Sequence, residues 1–555
     1  MPEQFETLSP SEFFYRHKDL AGFTNPTRAI YATIRELVEN SLDAAEVHQI
    51  PLILFIRINR LDLQKDGNEE QQAQQQVQQQ APQQQEREET LWVHVEDNSG
   101  GIPREKIPDA FGRVLVSSKY RIRQQRGLFG LGGKMALIYG QSTTHQPFTI
   151  KSSTGKHAPI VEYTMMIDIE KNVPRILKRR RLKNPKGWAG TVVDLATRGD
   201  WSHAKPKVID YLTNTAIAAP YAMITFEEPD GTQHKFEPAT KEMPRRPTET
   251  LPHPVGLDLE TLKRIASSTK KTDLTSFLCK QFQRIGPVTA KRLLQFANMH
   301  SRKDPHKLSR EELLQLSNAM NNFNDFKTPD ASCLSPIGPK QLEEGIKRQL
   351  KPSFVSVIAR KPSAYSGFPF IIESAIAYGG DIPQNTTNKV PVIRFANKIP
   401  LLFDEGSDVM RKVVDEVNWN LYHVEPAMPI VVLTSIVSTR IPFRTAGKEA
   451  VADRPEVERE LLNALRESAR QLGRFLSRRE RIAHDKRRLD VFDKYLPKLA
   501  DFTTKLAGKG KTPNIKPLLQ QAVKYIDIEE EEETEEAAEP VPEKKKTTPK
   551  KARVH

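Results

Sequence analysis

The sequence predicts an α+β protein of three folded units, and three observations carry that prediction. Branched and aromatic runs with strand character recur through the first 241 residues, interrupted by helices. A proline-rich stretch at 242–256 then leads into short helices alone. Strand character returns after residue 335 and gives way to one long charged helix. A chain of 555 residues has room for such units, and 37% hydrophobic residues supply cores as well as a good deal of polar loop.

The first element with a readable face is a helix over 34–46, IRELVENSLDAAE. Ile34, Val38, Leu42 and Ala45 share one side, whereas Glu36, Asn40 and Asp43 fall within roughly 60° of each other on the opposite one. Strands follow at 51–61 and 91–97, joined through a glutamine-rich tract at 66–90 whose composition cannot bury a core and which is read as a disordered loop. Strands at 147–153, 160–169, 190–197 and 221–229, with a helix at 207–219 preceded by a loop at 202–207, complete a unit spanning 1–241. Residues 257–328 read as a small all-helical unit. The third unit, 329–500, contains strands at 368–380, 390–403 and 429–438 and a helical stalk at 456–495. Residues 501–526 are read as a subunit-contact or linker region, and 527–555, with charge blocks and prolines, as a disordered tail.

With 84 Lys and Arg against 70 Asp and Glu, the formal charge is +14, and the acidic run near the C-terminus lowers that figure. The folded part is therefore more basic than the total, which favours a polyanionic partner such as nucleic acid. The two cysteines, Cys279 and Cys333, have no metal-ligand spacing, so neither a zinc site nor a disulfide framework is expected. No apolar run approaches the ~20 residues that span a bilayer, and the N-terminus lacks a signal-peptide layout. An intracellular, soluble protein without a membrane partner is the expectation.

Two glycine-bearing stretches give the polar face of the first helix a purpose. VEDNSGGIP (95–103) sets Asp97 at a strand end before a tight turn, where a carboxylate can accept a hydrogen bond from an exocyclic amine such as adenine's. RGLFGLGGKMALIYG (126–140) runs a glycine loop into an apolar helix. Glycines at 127, 130, 132 and 133 let backbone N–H groups approach an anion, and the helix N-terminus adds its positive dipole end. Met135 follows Lys134 where a phosphate loop of the GxxxxGK[ST] type has Ser or Thr, so that motif is excluded.

ExxxN on a helix, DNxGG after a strand and GxxGxGGK opening a helix, in that order, resemble the Bergerat-type ATP-binding sandwich of gyrase, Hsp90 chaperones, histidine kinases and MutL. The stretch at 107–141, the helical insert, SPIG (335–338), 360–380 and 394–409 narrow the resemblance. Together they are similar to the B subunit of archaeal type IIB DNA topoisomerases, the topoisomerase VI family, from about residue 10 to 490. That resemblance implies a helix-two-turns-helix module at 257–328, a transducer at 329–500, and ATP with Mg²⁺ as nucleotide and cofactor. It assigns Glu36 as general base for the attacking water, Asn40 as a Mg²⁺ ligand and Asp97 as the adenine reader. Gly127, Leu128, Phe129, Gly130, Leu131, Gly132, Gly133 and Lys134 become the phosphate lid, and Ser118, Lys119 and Thr191 further nucleotide contacts. Lys448, in the loop before the long helix, is carried over as the transducer lysine on the γ-phosphate.

The same resemblance implies ATP-driven pairing of two B subunits and an A2B2 assembly with DNA-cleaving, tyrosine-bearing A subunits. It also implies passage of one duplex through another in the cytoplasm, on the nucleoid. Regional DNA contacts are expected at Lys291 and Arg292, at the basic stretch 177–183, and at Lys205 and Lys207 in SHAKPK, which is less basic than the family's version. Ser99 stands at the first glycine of the family's DNGxG, and Asn420 at the lysine of its Trp-Lys-x-Tyr segment. The alternatives are a DNA-binding scaffold with a vestigial pocket and a chaperone or kinase of the same ATPase fold. The kinase reading lacks a phosphoacceptor helix, and the chaperone reading does not explain the helical insert.

Overall fold

The computed structural model describes residues 8–61, 88–116, 122–127, 130–444, 447–508, 510–511 and 513–521. Ser118, Lys119, Leu128, Phe129, most of the glutamine-rich tract and the tail expected at 527–555 lie outside them.

The N-terminal unit begins with α1 (Pro10–Arg16) and the longer α2 (Pro26–His48). Asn25 caps α2 by accepting from the Arg28 N–H at 2.8 Å, and Pro26 supplies a φ already suited to the first turn. The helix therefore starts two turns before the stretch that the periodicity picks out. Ile30, Ile34, Val38, Leu42 and Ala45 are buried in the main core, each large aliphatic contributing about 1.5–3 kcal/mol relative to exposure. Arg35, Glu36, Glu39 and Glu46 are buried too. A helix buried on nearly every side has a second interface besides its core.

Strand β1 (Ile53–Arg60) pairs antiparallel with β2 (Glu89–Asp97), with Leu54 opposite Asp97 and Arg60 opposite Leu91. Helix α3 (Ile107–Gly112) and helix α4 (Gly132–Thr144) follow, then β3 (Phe148–Thr154), β4 (Ile160–Asp168), β5 (Val173–Leu182) and β6 (Ala189–Gly199). Helix α5 (Trp201–Ala218) leads to β7 (Met223–Glu227) and β8 (Gln233–Phe236). The sheet runs β5-β4-β3-β6-β2-β1-β7-β8. In β4, Val161, Tyr163, Met165 and Ile167 point into the core, alternating with partly exposed residues, as expected for a sheet covered by helices on one face.

One expectation is corrected here. Residues 202–207 are not a loop: Asp200 caps α5 through the His203 N–H at 3.1 Å, and burial of Trp201, Ala204 and Val208 carries the helix through Pro206. The basic stretch at 177–183 is largely strand β5, the sheet edge, which pairs antiparallel with β4 although its charge masks any alternation.

The second unit contains α6 (Leu259–Ser268), α7 (Leu274–Gln281), α8 (Pro287–Phe296) and α9 (Arg310–Asn322) around a core that includes Leu262, Phe277, Leu293 and Leu316. Asp258, Asp273 and a Ser309–Glu312 capping box start three of these short helices.

The third unit opens with α10 (Pro339–Leu350) and a sheet of β9 (Phe354–Ala359), β10 (Ser363–Tyr365), β11 (Phe368–Tyr378), β12 (Val392–Ala396), β13 (Ile399–Leu401) and β14 (Ile430–Ser438). Helix α11 (Val409–Glu416) precedes β14, and α12 (Pro455–Leu506) follows it. The segment at 390–403, read as one strand, is a hairpin: Asn397 and Lys398 take φ of 49° and 68° and turn β12 into β13. A Cβ on Gly345 would lie 2.4 Å from the Ile217 carbonyl oxygen, so α10 packs backbone to backbone on α5 and joins the first and third units. Along α12, Val457, Leu461, Leu465 and Leu472 are buried, whereas Tyr495, Leu499 and Phe502 are exposed.

Candidate functional site

Asp97 ends β2, and register with β6 places Thr191 directly opposite. Its Oδ1 accepts from the Ser99 N–H at 3.0 Å, the Ser99 hydroxyl at 2.5 Å and the Thr191 N–H at 3.3 Å. Its Oδ2 accepts from the Ser41 hydroxyl on α2 at 2.8 Å. Burial pushes this carboxyl up, and the Ser99 and Ser41 hydrogen bonds oppose the shift. The turn after Asp97 takes its positive φ at Gly101 (68°), not at Ser99. Serine at this position therefore leaves the turn intact and adds a hydroxyl that holds Asp97.

The glycine lid meets α2 so closely that side chains are excluded. A Cβ on Gly132 would lie 1.7 Å from Glu36 Oε2, and one on Gly133 would lie 2.9 Å from Asn40 Nδ2. Leu131 occupies the N-cap of α4 without a side-chain capping bond, so no cap side chain covers the positive end of the helix dipole. Lys134 is buried and donates to the Val116 carbonyl oxygen, tying the helix to the segment that follows α3. Gly130 has a φ of 59°. Glu36, Asn40, Asp97, Thr191, Gly132, Gly133 and Lys134 thus gather where the middle of α2 meets the start of α4, the end of β2 and the start of β6.

Lys448 reaches this place from the third unit. Its loop is pinned at one end, where the Val451 N–H donates to Asp408 at 2.8 Å and Arg394 pairs with Asp408 at 3.1 Å. Nearer Lys448 on the same limb, Glu449 accepts from Arg35 on α2 at 2.7 Å. Lys448 itself has a φ of 58°, and its Nζ lies 3.9 Å from both Glu36 Oε1 and Glu39 Oε2. Arg35 pairs with Glu36 at 3.2 Å and with Glu39 at 3.6 Å. Burial pushes the Glu39 carboxyl up to about 7, with Lys448 and Arg35 pulling it down and Glu36 raising it further.

Sequence reasoning missed Arg35, Glu39, Ser41 and Glu449. On the helical wheel Arg35, Glu39 and Glu46 form a third stripe beside Glu36, Asn40 and Asp43. That stripe was the available sign of a domain interface. Among the residues expected to contact DNA, Lys291 and Arg292 are exposed on α8, with Arg292 bonded to Asp325. Lys205 pairs with buried Glu228 at 2.7 Å, and Lys207 lies 3.9 Å from Asp210. These four are on separate units and do not converge with the Glu36 cluster.

Known proteins match the chain over nearly all of its length. Residues 329–488 match the family model described as topoisomerase VI B subunit, transducer. The B subunit of type 2 DNA topoisomerase 6 from Pyrobaculum aerophilum is 41% identical over 531 residues, covering 95% of each chain. The protein of the same description from Metallosphaera sedula is 39% identical over 530 residues, again covering 95% of each. That from Saccharolobus islandicus is 38% identical over 541 residues, covering 95% of this chain and 97% of its own. The ATPase and transducer domains of DNA topoisomerase II from Balamuthia mandrillaris align over 86% of this chain and 99% of theirs, at 11% identity and a TM-score of 0.37. With 95% of this chain aligned, the matches take in the N-terminal, helical and transducer units. The chain therefore belongs to the family of type 2 DNA topoisomerase 6 B subunits, the ATP-dependent partners within a type II topoisomerase.

Proposed function

We propose that the Glu36 cluster binds and hydrolyses ATP, and that the transducer converts nucleotide state into movement of duplex DNA. The observation that carries this reading is Lys448, a transducer cation held against the two carboxylates of the ATPase helix. Asp97, with its four hydrogen bonds, is a fixed acceptor for the adenine amine. The start of α4, which no N-cap side chain covers, and the glycines of the lid suit a phosphate chain, and a Cβ on Gly132 or Gly133 would run into Glu36 or Asn40. Among the described residues no group of three or more His, Cys, Asp or Glu side chains is placed to hold a metal. A hard cation held by the Asn40 amide oxygen, phosphates and water fits such a site, and Mg²⁺ would supply charge neutralisation there. Glu36 orients the attacking water and takes its proton, and Lys448 binds the γ-phosphate.

ATP binding would pair two copies of the chain around a duplex, and hydrolysis would release them. The exposed stripe Val491, Tyr495, Leu499, Phe502 and Leu506 on α12 suits a DNA-cleaving partner chain, giving an A2B2 complex. A role on DNA fits a location in the cytoplasm, on the nucleoid, and among the described residues no helix is long and apolar enough to cross a membrane. Lys291 and Arg292 in the middle of α8, with Lys205 and Lys207 on α5, are suited to backbone phosphates.

The test is ATP hydrolysis with and without supercoiled duplex, and relaxation once the tyrosine-bearing partner is added. Hydrolysis without any response to DNA or partner would contradict the coupling. Gly132→Ala is expected to displace Glu36 and cut turnover by about 10²-fold or more; retention of the parental kcat would show that the lid stands elsewhere during catalysis. The β5 edge gives a second check. Its residues Lys178, Arg179, Arg180 and Arg181 are exposed, and among them Arg180 pairs with Glu162 at 3.7 Å. Replacing all four with glutamine is expected to lower DNA affinity and reduce the salt slope by about 0.9 for each phosphate no longer neutralised. An unchanged slope would leave the charges as protection of a sheet edge.

A further inference from the structure

The hairpin tip Asn397–Lys398 is turned inward. A two-residue hairpin turn with both residues at positive φ ordinarily takes Asn-Gly at a solvent-exposed tip. Here the second residue is a lysine, and its side chain is only 1% exposed. Its Nζ contacts Glu46 Oε2 on α2 at 3.1 Å and the Ser335 hydroxyl at 3.0 Å. The other Glu46 oxygen accepts from Arg126 at 2.7 Å and from Tyr221 at 2.8 Å, and Arg126 also donates to Asp43 at 3.1 Å. Burial pushes the Lys398 ammonium down, and Glu46 opposes that; burial would raise Glu46, but Arg126 and Lys398 hold it at about 2.

The neighbouring contacts converge on one short segment. Gln124 bonds Ser335 twice, its Nε2 donating to the carbonyl oxygen at 2.8 Å and its Oε1 accepting from the N–H at 2.6 Å. Asn397 donates to the Gln125 carbonyl oxygen at 3.2 Å, and its own amide oxygen accepts from the Ser438 N–H of β14 at 2.9 Å. Residues 124–126 are therefore held from one side by the transducer and from the other by α2, immediately before Gly127 of the lid. Burying a lysine costs desolvation that an apolar residue would avoid, so a packing role alone does not account for it.

We infer that Lys398, with Asn397 and Ser335, forms a second transducer contact that positions the root of the nucleotide lid, separate from Lys448 and indifferent to the γ-phosphate. This rests on the nucleotide-site reading above. Lys448 meets the two carboxylates from a loop before α12, whereas the β12–β13 hairpin holds the lid root: Asn397 bonds the Gln125 carbonyl oxygen, and Lys398 braces the same segment through Ser335, which Gln124 bonds, and Glu46, which Arg126 bonds. The two contacts therefore report different things: Lys448 which nucleotide is bound, Lys398 where the lid stands.

Hydrogen exchange of the full chain without nucleotide tests the contact itself. In Lys398→Met and in Gln124→Ala, which removes no charge, amides of 122–127 are expected to exchange about tenfold faster, with those of β2 and β6 unchanged. Equal protection in Gln124→Ala would overturn the inference, and this variant covers the case in which Lys398→Met does not fold. In the presence of nucleotide, Lys398→Met is expected to weaken ADP and a non-hydrolysable ATP analogue by the same factor, about tenfold, with kcat at saturation nearly parental. Lys398→Arg should restore part of that affinity. A lower melting temperature with parental ADP and analogue affinities would make Lys398 a structural residue only. Failure of the parental chain to bind ADP would instead refute the nucleotide reading, while the exchange result would still decide whether the lid root is held.

Discussion

Replacing Glu36 with alanine is expected to leave nucleotide binding in place and to cut ATP turnover by about 10²–10⁴-fold, the usual loss for a positioned base. Each tenfold corresponds to about 1.4 kcal/mol of barrier. The fold should survive, because Arg35, which pairs with Glu36 at 3.2 Å, keeps its shorter contact to Glu449 at 2.7 Å. The smaller side chain also leaves more room for Gly132, not less. The check is single-turnover hydrolysis beside binding of a non-hydrolysable analogue. Parental turnover in Glu36→Ala would remove the proposed base, whereas loss of binding would show that Glu36 holds the lid.

Much of the site was legible because local chemistry and local geometry agree there. Glu36 and Asn40 are spaced to share a helix face, Asp97 ends a strand before a glycine turn, and the lid glycines lead straight into α4. What stayed hidden depends on contacts between distant segments. Nothing in the 34–46 stretch alone indicates that Arg35 finds Glu449, more than four hundred positions on, or that Glu46 finds Lys398. The strand read through 390–403 failed because Asn397 and Lys398 carry the turn without a glycine, a choice that makes sense only once Lys398 is seen to be buried. Strand β5 was read as charge because it is an edge whose two faces are both exposed, so no apolar alternation survives. Helix α5 overrode the loop expected around Pro206 because its buried side carries the helix through.

The second large effect is expected at Lys448. Its ammonium lies 3.9 Å from Glu36 and from Glu39, and among the described residues neither Glu39 oxygen has a hydrogen-bond partner. The lysine thus has a position against α2 that does not require a γ-phosphate, and on the proposed reading a triphosphate would compete with those carboxylates for it. A ligand moves a two-state element only by the difference in its affinity for the two arrangements. Lys448→Ala is therefore expected to keep ADP affinity nearly parental, weaken the ATP analogue by about 10–100-fold, slow hydrolysis and suppress relaxation by the reconstituted complex. The loop itself should hold its place through Glu449–Arg35 and Asp408–Val451, so the melting temperature should change little.

Titration of ADP and of a non-hydrolysable ATP analogue into the parental chain and into Lys448→Ala, side by side, tests most directly whether the transducer reads the nucleotide. The account predicts that the parental preference for the analogue collapses in the variant while ADP binding is retained. An undiminished preference in Lys448→Ala would contradict it and make Lys448 a bystander to the γ-phosphate.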